Sequence, residues 1–219
     1  MYFTDFDVKY APSDLLSEQF LWCNPTVERI IKGFINRRRL SHLLLVGPPG
    51  VGKSTILNLL PEMICPQPNT IHRFDAVSTT TAGDNFKKIV DLRKMAAFSQ
   101  ADRLIVVVNE IDDFKDARLN FLKNLLDKFL KNTATLVPVQ LMASTNHLSA
   151  IPQAVQERMT VVELTRPAAE QLMDLGQRVV ALESGSSGTT ITDEEMRNLA
   201  LYAWCSPRVF LKRLTDHVA

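Results

Sequence analysis

Apolar residues along the chain follow two different periods, and the place where one gives way to the other divides the sequence. Short runs rich in apolar and β-branched residues at 43–46, 70–74, 104–108, 137–143 and 160–164 predict buried strands. Helical spacing lies between them at 53–60, 84–98, 116–131 and 150–156. Ahead of them lies another such segment at 26–38, with Val27, Ile30, Ile31 and Phe34 on one face. Its basic end, Arg37-Arg38-Arg39, suits the negative pole of a helix. Strands alternating with helices predict a parallel sheet covered on both faces. After Arg166-Pro167 no strand-like run recurs. Helical patterns then span 168–183, 192–203 and 206–217, with a break at Ser184-Gly185-Ser186-Ser187-Gly188. Thr192 with Glu195 three residues on reads as a capping box. The division expected is an α/β domain over 1–166, led by an extended, mixed aromatic and polar segment to about residue 24, and a small all-helical domain over 167–219.

Composition narrows the classes. With 219 residues, 46% of them hydrophobic, the chain can bury a core, and it reads as globular rather than disordered. Lys and Arg number 25 against 24 Asp and Glu, so no global basic field recruits nucleic acid and any such contact must be local. Cys23, Cys65 and Cys205 stand far apart without a CxxC pair, which fits a reducing compartment better than a disulfide framework or a zinc site. His42, His72, His147 and His217 show no ligand spacing. The N-terminus lacks an apolar leader and no run approaches a membrane span, so the expected location is cytoplasmic, or nuclear in a eukaryote, with no membrane partner.

The chemistry is concentrated in two motifs. Gly47-Pro48-Pro49-Gly50-Val51-Gly52-Lys53-Ser54, followed by Thr55, fits GxxxxGK[ST] with a strand before it and a helix after it. Its glycines let main-chain amides turn toward phosphates, and the helix N-terminus adds partial positive charge. Lys53 is expected on the β and γ phosphates and Ser54 on Mg²⁺. The second motif is Leu104 to Val108 running into Asn109-Glu110-Ile111-Asp112, which puts acids at the C-terminal end of a buried strand, where open parallel sheets keep their ligand crevice. Glu110 is the candidate to polarise an attacking water. Asn109 stands where most such motifs carry Asp; its amide can order a metal-bound water but brings no charge.

In this order, GPPGVGKST, IVVVNEID, the polar tip Ala143 to Asn146, Arg158 and Ser206-Pro207-Arg208 resemble the AAA+ ATPases over nearly the whole chain. The resemblance implies a P-loop NTPase fold, a five-stranded parallel sheet sandwiched by helices and followed by a helical lid, with ATP between the two. It further implies that Asn146 is a first sensor toward the γ-phosphate and that Arg158 is a finger pointing into a neighbouring subunit's ATP. Arg208 is then a second sensor on the lid. The lead-in around Lys9-Tyr10-Ala11-Pro12 is similar to that of clamp-loader (replication factor C) small subunits, where this stretch lies against the adenine. Two departures are Ala11 in place of an arginine, and Glu157-Arg158-Met159 in place of Ser-Arg-Cys.

The function this implies is an ATPase that binds and hydrolyses ATP with Mg²⁺ between subunits of a ring or arc. It would load or remodel a partner on DNA, such as a sliding clamp or helicase. On that reading residues 79–94 supply a DNA-tracking helix through Lys87, Lys88, Arg93 and Lys94; the same cations also read as a solvated helix face. Two alternatives stay open, a helicase-loading or transposition ATPase and a protein-remodelling ATPase without a DNA role. The second is disfavoured because residues 75–83 lack the aromatic of a threading pore loop.

Overall fold

The computed structural model describes residues 5–17, 20–37, 39–67, 69–76, 82–95, 101–114, 116–130, 137–187, 191–202 and 206–218, with side chains except at 37, 82–84, 93–95, 116 and 184–187. Arg38, residues 79–81 of the expected tracking segment, the side chains of Arg93 and Lys94, and Cys205 therefore lie outside the described residues. In chain order the helices are α1 (Phe6–Lys9), α2 (Pro25–Arg37), α3 (Lys53–Ile64), α4 (Ala82–Met95), α5 (Asp116–Phe129), α6 (Gln153–Gln156), α7 (Ala169–Ser187), α8 (Asp193–Tyr202) and α9 (Pro207–Val218). The strands are β1 (His42–Val46), β2 (Ile71–Asp75), β3 (Leu104–Asn109), β4 (Val139–Thr145) and β5 (Met159–Glu163). Packing groups the chain into two compact units, one of residues 29–47 and 53–163, the other of residues 1–28, 48–52 and 164–219.

The first unit holds one five-stranded sheet in the order β2-β3-β4-β1-β5, with every neighbouring pair parallel. The near-continuous apolar runs of β1 and β3 have the composition of strands buried on both faces. Leu44, Val46, Val106, Val108, Leu141 and Ala143 point to one face, where Ile89 and Leu92 of α4 and Leu119, Leu122 and Leu126 of α5 complete a core. Leu43, Leu45, Ile105, Val107 and Met142, on the alternate positions, are equally buried on the other face, and α3 packs against β3 and β4. The expected sheet is thus present, with helices flanking it.

Element ends differ from the sequence reading for local reasons. The strand read at 137–143 pairs over Val139–Thr145 instead, since Pro138 has no N–H to give the ladder. The helix read at 150–156 is a 3₁₀ turn at Leu148–Ala150 and a short α6 after Pro152. α3 continues past residue 60 to Ile64 with Pro61 inside it. Proline leaves the carbonyl of Leu57 without its helical donor. Arg73 supplies one, donating to Leu57 O at 3.4 Å, to Asn58 O at 3.0 Å and to the Glu62 carboxylate at 2.9 Å.

In the second unit α7, α8 and α9 pack around Leu172, Leu175, Val179, Met196, Leu199, Phe210, Leu211 and Leu214. Phe6 belongs to the same core, and its N–H donates to Thr215 Oγ1 at 2.8 Å. Part of the lead-in expected to be extended is therefore the helical turn α1, anchored on α9. The capping box is present: Thr192 N donates to Glu195 Oε2 at 2.9 Å and Glu195 N to Thr192 Oγ1 at 3.3 Å. α7 runs through Ser184–Ser187, where a break was expected. The helix-propensity cost of Gly185, about 1 kcal/mol, is small beside the apolar face that anchors the helix. Among the described residues no helix is long and apolar enough to cross a membrane.

Candidate functional site

Strand register brings the chemistry to one end of the sheet. Val46 is level with Thr145, Val108 with Ala143, and Asp75 with Asn109. The C-terminal ends of β1, β2, β3 and β4 therefore present Gly47, Asp75, Asn109 with Glu110, and Asn146 along a single edge. This is the side of an open parallel sheet on which ligands bind.

The loop after β1 starts where Gly47 N donates to Thr145 O at 3.3 Å. It then turns through Gly47, Gly50 and Gly52 at φ 152°, 82° and 97°. At Gly50 the positive φ calls for glycine, and a Cβ there would also lie 2.3 Å from Ser206 Oγ, so that hydroxyl would have to turn away. The loop delivers the chain to the N-terminus of α3, a 12-residue helix whose first residues are Lys53, Ser54 and Thr55. Lys53 is buried, with Nζ donating to Gly47 O at 2.6 Å. Burial lowers its pKa, while the Glu110 and Asp112 carboxylates act in the opposite direction and favour the ammonium. Ser54 is exposed, and Val51 is buried.

At the end of β3 the backbone turns sharply. Glu110 sits at φ 51°, ψ 53°, a left-handed conformation that costs a residue with a side chain about 1 kcal/mol or more. Its N–H donates to Ser144 Oγ at 3.3 Å and its side chain is exposed. Asn109 Nδ2 donates to Asp75 Oδ1 at 3.0 Å. Asn109 Oδ1 and Asp112 Oδ1 are buried without a hydrogen-bond partner among the described residues. These unpartnered oxygens lie in the same strand-end turn as the Glu110 and Asp112 carboxylates that act on Lys53, and a buried polar oxygen calls for a partner.

These residues fit a phosphate-bearing ligand with a divalent cation. The loop offers main-chain amides, a helix N-terminus and an ammonium to the anion. Ser54, Asn109 and Asp112 offer oxygens to the cation. Among the described residues no three His, Cys, Asp or Glu side chains form a metal cage; Mg²⁺ does not need one, being held by one or two protein oxygens together with substrate phosphates and water.

The remaining predicted positions lie on several elements. Asn146 follows β4 directly and is half-buried. Arg158 follows α6, and its Nε is 3.0 Å from both Asp127 oxygens on α5 while an Nη donates to Ala154 O at 2.7 Å. Tyr10 donates its hydroxyl to Glu183, which also accepts from Lys9 at 2.5 Å. Burial, reinforced by that carboxylate, pushes the Tyr10 phenol up to about 12. Ala11 is exposed and Pro12 half-buried; Arg208 is exposed in the first turn of α9. Sequence reasoning missed Asp75 and Ser144 and gave Asp112 no role. Asp112 was legible as the next acid after Glu110. Asp75 and Ser144, each 34 residues from its partner, join the site only through strand register.

Comparison with known proteins identifies the class. Residues 43–166 match the family described as "ATPase family associated with various cellular activities (AAA)", and the chain belongs to that family. Among curated proteins it is similar to Replication factor C subunit 5 of Homo sapiens, 26% identical over 202 residues that cover 86% of this chain and 56% of that protein. It is also similar to Replication factor C small subunit of Methanosarcina acetivorans, 25% identical over 188 residues, 84% of this chain and 52% of that protein. The resemblance read from the motifs thus points to the same relatives. The chain spans about half the length of the curated relatives it matches. Among solved structures, the Thermotoga maritima RuvB Holliday junction branch migration motor aligns with a TM-score of 0.69 at 20% identity, over 94% of this chain and 64% of that one, a likeness of fold.

Proposed function

We propose that the protein is an ATPase of clamp-loader type, which binds ATP with Mg²⁺ at residues 47–55 and uses its hydrolysis within an oligomer to load or remodel a protein partner on DNA. The observation that carries this reading is the set made by the glycine loop, buried Lys53, and the acids Glu110 and Asp112 that bear on it electrostatically. The replication factor C relatives support the DNA-replication branch.

Each residue has a task that its chemistry suits. The loop amides and Lys53 hold the phosphates and offset their charge. Glu110, exposed and fixed by its backbone turn, orients and accepts a proton from the attacking water. Asn146 hydrogen-bonds that water or the phosphate it approaches. When bound, Mg²⁺ would neutralise phosphate charge, and Ser54, Asn109 and Asp112 would hold it through their side-chain oxygens. Arg158 is assigned to a neighbouring subunit's phosphates, where its permanent charge suits the transition state. Residues Tyr10 to Pro12 and Arg208 are assigned to base and phosphate contacts. A reducing cytoplasmic or nuclear setting accords with the unpaired Cys23 and Cys65.

The test is nucleotide affinity in magnesium buffer, then ATPase rate with and without primed DNA, for the parent and Lys53→Ala. Binding that is lost in Lys53→Ala, with a rate raised by DNA, is the expected result. A rate indifferent to DNA moves the assignment to protein remodelling without a DNA role. Absence of nucleotide binding, or a Lys53→Ala protein that behaves like the parent, removes the proposal altogether.

A further inference from the structure

The acidic strand end carries an irregularity that the function above leaves unexplained. A divalent cation bound beside phosphates is normally met by a carboxylate, but β3 ends in Asn109, whose amide is neutral. Besides Asp112, a second carboxylate stands one strand away. Asp75 ends β2 level with Asn109 and accepts a hydrogen bond from its Nδ2 at 3.0 Å. The main chain holds this juncture from both sides: Ala76 N donates to Asn109 O at 3.3 Å, and Asn85 Nδ2 of α4 donates to Asp75 O at 3.1 Å.

The direction of the Asn109–Asp75 bond matters. A carboxylate only accepts, so the amide must turn its NH₂ group toward Asp75. That turn commits Oδ1 to the opposite direction, where it is buried with no partner among the described residues. An asparagine placed only to tie two strand ends together would have no reason to leave its carbonyl oxygen buried and unpaired, since that costs about 1–3 kcal/mol.

We propose that Asp75 is a positioning residue for the magnesium of the bound nucleotide: it fixes the Asn109 amide so that Oδ1 faces the cation's hydration shell, and it supplies the negative charge that Asn109 lacks. Asp75 and Asn109 together do the work of one acidic ligand, split between adjacent strands. This rests on the nucleotide-binding function proposed above.

The experiment measures the dissociation constant of a fluorescent ADP analogue in magnesium and in EDTA. The proteins compared are the parent, Asp75→Asn, and the exchanged double variant Asp75→Asn with Asn109→Asp. The ratio of the two constants reports the cation alone and does not depend on turnover. Asp75→Asn is expected to lower the magnesium advantage about tenfold, the lower end for removing a carboxylate behind a metal ligand, while leaving affinity in EDTA unchanged. The exchanged variant, which returns the charge to β3, is expected to restore the advantage. Asp75 is exposed, so its amide variant keeps the fold, which a thermal melt verifies. An unchanged ratio in Asp75→Asn overturns the inference, as does an equal loss in magnesium and EDTA, which would make the contact merely structural. A parent protein that binds no nucleotide at all is distinguishable from both, because it removes the ATPase proposal itself.

Discussion

His42 opens β1, the strand that leads into the phosphate loop, and it is 1% exposed. Leu141 N donates to its Nδ1 at 2.9 Å, so its proton must sit on Nε2, which lies 3.0 Å from Leu126 O. The neutral ring thereby joins β1, β4 and α5. Burial drives its pKa from 6.5 down to about 4, against smaller opposing effects of the Leu126 carbonyl and the Asp127 charge. A second proton would also face a donor with a donor at Nδ1. Above pH 6.5 the ring is neutral folded and unfolded, and its contribution is fully present. As pH falls below 6.5 the unfolded chain takes up the proton and the folded chain does not, so stability is lost progressively until pH reaches about 4. At ~1.4 kcal/mol per pH unit the whole loss is about 3 kcal/mol, of which about 2.5 kcal/mol has gone by pH 4.5. The measurement is urea unfolding at pH 7 and pH 4.5 for the parent and for His42→Gln. The variant is less stable at pH 7 by about 1–3 kcal/mol through imperfect pairing of Leu141 N and Leu126 O. Its further loss on acidification is smaller than the parent's by about 2.5 kcal/mol, since carboxylates titrate in both and cancel. Parallel losses in the two proteins would refute the buried neutral ring.

Two further outcomes follow from packing and charge. A Cβ on Gly176 would lie 2.4 Å from Met196 Sδ and 2.8 Å from Phe210 Cζ, so Gly176→Val should destabilise by about 1–3 kcal/mol, read as a lower urea midpoint, despite removing a helical glycine. The Arg158–Asp127 pair is partly exposed on both sides, so Asp127→Ala should change stability by under about 1 kcal/mol. If Arg158 acts across subunits, Arg158→Ala lowers the ATPase rate of the assembled protein while Asp127→Ala spares it. Equal effects of the two would mean that the pair matters only within its own chain.

Features set by near neighbours in sequence could be read directly. The runs at β1 and β3, the glycine loop with Lys53, and the Thr192–Glu195 cap each declare themselves within a few residues. Features set by partners far along the chain could not. That Asn109 meets Asp75 depends on the register of β2 against β3, and that residues 6–9 form a turn depends on Thr215 accepting from Phe6. Pro61 illustrates the same limit: taken alone it predicts a helix end, but Arg73, reaching over from β2, donates to the Leu57 carbonyl it frees and the helix runs on. Arg158 was visible as a residue, whereas its pairing with Asp127 was not, because it joins α5 to the end of α6.

The left-handed backbone of Glu110 has a consequence for anyone engineering this protein. Glycine would relieve about 1–2 kcal/mol of that strain, offset by about 0.5–1 kcal/mol for its greater freedom when unfolded, so the folded state should gain at most about 1 kcal/mol, while deleting the carboxylate assigned to the water. Variants sorted for heat resistance alone would therefore drift toward glycine at this site and, on the role proposed for Glu110, become hardier but idle. On that proposed role, a screen that aims to keep turnover holds position 110 fixed and seeks its gains elsewhere in the molecule.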